Sequence, residues 1–366
     1  MAPVNADMIV VARDAHSWSQ KELAERVGIS QGKISKYENG LLEVSEEDLE
    51  AIAYATGFRS GLFRSTEPIY GLGSSALFHR KKKTTPIGVQ RRVQAKVNIA
   101  RLQLAKLLRA AEIETTSHFE PIDVDKVEDG AIEVAQRVRA AWRMPMGPVR
   151  SVTAAIEAAG GVVLLCDFGT DDIDAAHLWA PGQPPMFFMN ANRPGDRHRF
   201  NLAHELGHAI MHQFPTGDIE AEANQFASEF LMPRKEIAPE LRGLTIQRAA
   251  QLKPRWKTAI AALIYAAHSC GAISESKRGI LYAQLSRLGY RKAEPIEIEL
   301  EQPTLVPQLV DLHRKALGYS DEDLLDLLMT DNPDFINTVA DETMKIRPGL
   351  RMDDGPISFE AHIKRA

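Results

Sequence analysis

The sequence predicts a mainly α chain with one small sheet. Apolar residues recur at helical spacing through most of its length, and capping residues and glycines punctuate those runs. Only two short stretches, "VVLLC" at 162–166 and "MFFMN" at 186–190, read as buried strands. At 366 residues the chain exceeds one ordinary hydrophobic core, so several domains are expected. Its 44% hydrophobic and 25% charged residues are usual for a globular protein. No apolar run is long enough to span a membrane, and the N-terminus lacks the basic flank and apolar centre of an export signal. Two distant cysteines, Cys166 and Cys270, argue against a thiolate metal site or disulfide framework and make a reducing cytoplasm the simplest home. The net charge of -5 excludes a uniformly basic nucleic-acid binder, so any such footprint is local.

Taken in order, residues 1–65 form the first expected domain. In "SQKELAERVGISQGKISKYENG", Ser19 caps a helix carrying Leu23, Ala24 and Val27, and Gly28 ends it. Ser30 caps the next helix, with Ile34 and Tyr37 inward. Ser45 opens a fourth, with acids in its first turn and Leu49, Ile52 and Ala53 as its stripe. Two short helices around a tight glycine turn are what a helix-turn-helix requires. The stretch resembles the XRE (Cro/CI-type) helix-turn-helix family. That resemblance implies duplex DNA as partner, with Gln20 near phosphate and Gln31, Gly32, Lys33, Ser35 and Lys36 on the recognition helix. Through residue 60, however, six Lys or Arg face ten Asp or Glu. Weak affinity of a single copy is therefore expected, aided by dimerisation or by the basic stretch "FHRKKKTTPIGVQRR" at 78–92.

Residues 66–115 are read as this basic linker plus a long amphipathic helix over 89–114, striped by Val93, Val97, Ala100, Leu104 and Leu107. Residues 116–290 are expected to form an α+β domain: helix, Pro/Gly break, helix, strand 162–166, strand 186–190, then a helix beginning after "ANRPGDRHR". "MFFMN" is read as an edge strand able to pair with an extended peptide, or as a purely structural core strand. The final region, 291–366, is expected to be helical, shifting after "YRKAEPIEIELEQP" to an acidic, helical tail, with a capping box at Ser320 and Asp323 and a loosely ordered end.

The chemistry is concentrated in "FNLAHELGHAIMH", 200–212. Residues four apart on a helix stack one turn above each other, so His204 and His208 can present imidazoles to one point, with Glu205 beside them. Zinc held by two histidines needs a third protein ligand. In "GDIEAEANQFASEFLMP", 217–233, Glu220 and Asn224 share a face: Glu220 is taken as the ligand and Asn224 as the group holding a ligating histidine. Glu222 lies about 200° around the helix from Glu220, so the two are not expected to ligate together. His198, Arg199 and His212 are candidates for stabilising a reaction oxyanion, by nearness in sequence alone. The competing reading of the trio is a buried polar cluster without metal, which has large desolvation costs to offset.

"RFNLAHELGHAIMH" followed by "EAEANQFASEFLMP" resembles the ImmA/IrrE family of zinc metallopeptidases over roughly residues 145–290. The resemblance implies a zincin-like α+β fold, a Zn2+ cofactor on His204, His208 and Glu220, and Glu205 as the base that moves a proton from water to the leaving amine. It also implies a protein substrate such as a helix-turn-helix repressor or antitoxin-like partner, or the chain itself, in a stress or mobile-element response. Two other readings stay open: a transcription factor whose peptidase-like domain only senses or dimerises, and a helix-turn-helix that recruits a protein instead of DNA. "LTIQRAAQLKPRWKTAIAALIYAAHSCGAIS", 244–274, is read as two helices broken at Pro254, packed on the zinc domain.

Overall fold

The computed structural model describes residues 3–71, 85–113, 115–213 and 217–333, together with the backbone of Ile363–Arg365. Residues 78–84 of the basic stretch and most of the tail after 333 lie outside the described residues.

The first unit comprises α1 (Ala6–Ala15), α2 (Gln20–Val27), α3 (Gln31–Glu38), α4 (Glu46–Thr56) and the single turn α5 (Ser60–Phe63). Ser19, Ser30 and Ser45 each accept a backbone N–H two or three residues into their helices, and Ser19 with Glu22 completes a capping box. Gly28 closes α2 at φ +77°, a left-handed conformation that a side chain would strain. Leu23, Ile34, Leu49 and Ile52 fill its core.

This unit is not a bead on a string. The long helix α6 (Ile87–Leu108) lays Ala95 and Ile99 against Val11 and Ala15 of α1. Leu102 of α6 and Met329 enter the core of the unit itself. Arg59 is gripped by Asp326, Glu322 at 2.6 Å and Asp331 at 2.9 Å. The helix is shorter than the expected 89–114. It stops at Leu108, and the chain turns into the short strand β1 (Ala111–Ile113), which pairs antiparallel with β5 (Ile363–Arg365).

The second unit is built around a three-stranded sheet. Strands β2 (Val162–Cys166), β3 (Ala175–Leu178) and β4 (Met186–Asn190) run in the order β2-β4-β3, with β2 and β4 parallel and β3 and β4 antiparallel. "MFFMN" is thus the central strand, which corrects the edge-strand reading; all five of its residues are buried. A strand covered on both faces reads as a continuous apolar run. The alternation shows only in which core each residue enters. Val163, Ala175, Phe187 and Met189 face one helical layer. Val162, Leu164, Ala176, Leu178, Met186 and Phe188 face α6 and the C-terminal helices α15 (Leu305–Asp311) and α16 (Asp321–Leu327). The expected Ser320–Asp323 capping box opens α16.

The first layer holds α7 (Gly130–Ala141), α8 (Val152–Ala158), α9 (Gly195–Met211), α10 (Ile219–Leu231), α11 (Arg234–Leu241), α12 (Ile246–Trp256), α13 (Ile260–Ser269) and α14 (Glu275–Arg287). The expected break at Pro254 falls three residues later. Pro254 stays within the last turn of α12, and Lys257 ends the helix in a left-handed conformation at φ +51°. Gly207 of α9 lies against Phe226 of α10 so closely that a Cβ there would be 3.0 Å from its ring. That contact sets the depth at which α10 meets the histidine face of α9. No helix among the described residues is long and apolar enough to cross a membrane.

Candidate metal centre and nucleic-acid face

Helix α9 is buried along almost its whole length, wedged between the sheet and α10; from Leu202 onward it is apolar apart from the histidines and Glu205, whereas its first turns bury Asp196, His198 and Arg199. His204, Glu205 and His208 are all at most 2% exposed. Helix α10 starts where the Asp218 side chain accepts from the Ala221 N–H, and this cap puts Glu220 in the first turn, facing both histidines. The His204 and His208 Nε2 atoms are 2.9 Å apart. Glu220 lies 3.5 Å from the first and 3.3 Å from the second. A tetrahedral ion with bonds of about 2.0–2.1 Å places its ligand atoms about 3.3 Å from one another, so the three donors have the spacing that zinc asks for.

The charge balance agrees with that spacing. Burial alone would raise the Glu220 carboxyl, but the neighbouring His204 and His208 outweigh this and hold it down at about 2. Burial pushes His208 down to about 4, so its imidazole is neutral and has a lone pair to offer.

Contacts behind these groups fix their orientation. His212 Nε2 lies 2.9 Å from a Glu222 carboxylate oxygen, and His212 Nδ1 lies 2.6 Å from His208 Nδ1. Only one proton arrangement of neutral rings satisfies both contacts. His212 donates from Nε2 to Glu222, His208 donates from Nδ1 to His212, and the His208 Nε2 lone pair is left facing Glu220. His212 is therefore no surface histidine; its side chain is 4% exposed. The holding role expected of Asn224 is not seen, because its amide donates to the Glu220 carbonyl at 2.7 Å within its own helix. A side chain four residues along reaches that carbonyl more readily than a ring on the neighbouring helix. Glu222, set aside as a ligand, fills the supporting place instead.

Glu205 is fully buried, and one of its oxygens accepts from His177 Nδ1 at 2.7 Å. His177 sits on the edge strand β3, opposite Phe187, and that register turns it toward α9. Sequence reasoning missed it because β3 is only four residues long and follows a polar loop. The signal was the alternation in "AAHL", which puts His177 on the same face as Ala175. His198 and Arg199 belong elsewhere. Arg199 donates to the carbonyls of Val149, Arg150 and Lys257 and pairs with Glu301. Buried His198 is pushed down to about 4 by desolvation.

On the first unit, Gln31, Gly32 and Lys36 are exposed along α3, with Ser35 half-buried beside them. The Lys33 ammonium turns back to Asp48 at 2.5 Å, and the Gln20 amide donates to Glu38 at 2.8 Å. Both side chains are drawn inward by carboxylates, so the free polar edge of the recognition helix is narrower than the motif suggested.

Residues 156–268 match the family model of the IrrE N-terminal-like domain of the M78 peptidases, and residues 11–60 match the helix-turn-helix family model. The chain therefore joins an XRE-type helix-turn-helix unit of the DNA-binding kind to a peptidase-type domain. The first match contains the whole of the sheet, α9 and α10, and so every residue of the histidine–carboxylate cluster. No curated protein matches the chain.

Proposed function

We propose that this chain is a DNA-binding regulator carrying a zinc-dependent endopeptidase, with His204, His208 and Glu220 as ligands and Glu205 as the catalytic base. The observation that carries the reading is the juxtaposition of a three-donor cluster at tetrahedral spacing with a buried carboxylate that is not one of the donors. A zinc ion bound there would act as a Lewis acid on the scissile carbonyl and on the attacking water. Glu205 takes a proton from that water and passes it to the leaving amine. His177 donates to one Glu205 oxygen and so fixes the orientation of the carboxylate. The substrate class proposed is a repressor or antitoxin-like protein, in a stress or mobile-element response in the cytoplasm. Glu222, through His212, holds the His208 ring, and Gln31, Gly32, Ser35 and Lys36 are the groups proposed to meet duplex DNA. The test is zinc-dependent proteolysis of a candidate repressor by the wild type and by Glu205→Gln. Cleavage by both proteins would remove Glu205 from the mechanism.

A second reading, in which the metal centre acts as a sensor without proteolysis, draws support from one observation. Helix α6 touches α1 with one face and the sheet with another, so a change at the sheet has a packed route to the DNA-binding unit. Regulation that survives in Glu205→Gln but not in His204→Ala would favour it.

A further inference from the structure

A cavity of about 360 Å³ lies where α7 ends and α8 begins, within the roughly 300–1,000 Å³ usual for small-molecule sites. None of its lining residues belongs to the histidine–carboxylate cluster. Its walls are mainly apolar: Trp142, Met144 and Val149 on one side, Ala154, Ala155 and Ala158 of α8 on the other. The three alanine methyls leave unfilled the space that larger side chains would take. The loop that completes the wall is held by buried charged groups. Arg139 donates to the carbonyls of Pro145 at 2.7 Å and Gly147 at 3.0 Å, and Glu236 accepts from the Gly147 N–H. Arg199 donates to the carbonyls of Val149 and Arg150. Arg139 is 8% exposed and Arg199 1%. Collapse of the loop into the cavity would strip these buried groups of their partners, so the walls are fixed before any occupant arrives.

The charge of the cavity has one sign. Arg139, Arg143 and Arg150 line it, and no carboxylate does. Arg139 spends its guanidinium on the two loop carbonyls and that of Phe230, while Glu229 and Glu236 act on its charge only through space. The side chains of Arg143 and Arg150 form no ion pair with any described residue, and both residues are exposed. An apolar chamber with two uncompensated guanidinium groups in its wall is complementary to a ligand with an apolar body and an anionic end. Guanidinium and carboxylate match in shape as well as charge, through two parallel hydrogen bonds.

We infer that this cavity is a binding site for a small organic carboxylate, its apolar body against Trp142 and the α8 alanines and its anionic end at Arg143 and Arg150. Alkyl and aryl carboxylates share that chemistry. The site stands whether or not the metal centre cleaves protein. Its occupant rests on the residues that seat the far end of α10. Trp142 meets Phe230 edge-on with ring centroids 6.1 Å apart, and Arg139 donates to the Phe230 carbonyl at 2.7 Å. Glu220 and Glu222 stand in the first turn of that same helix, which makes the cavity an effector site in contact with the supports of the metal centre.

The test is calorimetric titration of the full chain with decanoate and with naphthoate, each beside its uncharged counterpart, decanol or naphthylmethanol. One saturable site per chain is expected for at least one carboxylate, and which of the two binds tells an alkyl from an aryl body. The uncharged counterpart, and the carboxylate on the double variant R143Q/R150Q, are each expected to bind at least about tenfold more weakly. Ala155→Phe, which fills the cavity, is expected to abolish binding. The double variant changes only exposed side chains, so it keeps the test decisive if the filled variant unfolds. Affinity is expected to be the same with zinc added or chelated. Binding that requires zinc would move the carboxylate to the metal and overturn the inference. So would equal affinity for carboxylate and alcohol, equal affinity of wild type and R143Q/R150Q, or no saturation by either carboxylate up to about 1 mM.

Discussion

His208 Nδ1 lies 2.6 Å from His212 Nδ1, and the far nitrogen of His212 lies 2.9 Å from Glu222, so a ligand-type histidine is held by a second histidine and a carboxylate in series. Groups that orient a ligand typically contribute about 10- to 100-fold to metal affinity. His212→Ala and Glu222→Gln are each expected to weaken zinc by that order while leaving the fold intact, and competition with a chelator reads this directly. Affinity equal to wild type in both variants would show that the series does not support the site.

Glu220 and Glu205 are expected to separate by readout. Glu220→Ala removes a ligand and should lower zinc content. Glu205→Gln should keep the zinc and lose about 10²- to 10⁴-fold in cleavage rate. Zinc content of Glu220→Ala equal to wild type would contradict its assignment as third ligand.

Buried His198 makes a prediction about acid. Its folded value of about 4 lies below the ordinary histidine value of 6.5, so the unfolded chain binds the proton first. Its contribution is therefore fully present above about pH 6.5, falls as the pH drops, and levels off below about 4. Between pH 7 and 4.5 this amounts to about 2 kcal/mol. The urea midpoint of the metal-free His198→Leu variant should fall less over that range than that of metal-free wild type; parallel falls would refute the assignment.

Lys36 is exposed on α3, whereas Lys33 is tied to Asp48. Lys36→Ala is expected to weaken DNA binding and to reduce the slope of log affinity against log salt by about one phosphate contact, with a smaller change for Lys33→Ala. Salt titration of both variants on one duplex checks this, and equal slopes would contradict it.

Much of the site was legible because it is local. The i, i+4 spacing of His204 and His208 needs only helical geometry, and Glu220 was singled out because it shares a face with Asn224 in the first turns of the next helix. What escaped depends on long-range pairing. His177 reaches Glu205 through a four-residue strand whose partner lies ten residues on, and periodicity cannot register so short an element. "MFFMN" read equally well as edge or centre, because only the packing of α6 and the C-terminal helices on its second face decides the matter. Asn224 failed because its nearer acceptor was its own backbone.

The most direct measurement is elemental analysis of purified wild type and His204→Ala without added metal. About one zinc per chain in the wild type and little in the variant is the predicted result. No zinc in either, with DNA binding intact, would contradict the account and leave the His204–His208–Glu220 cluster as a buried polar core.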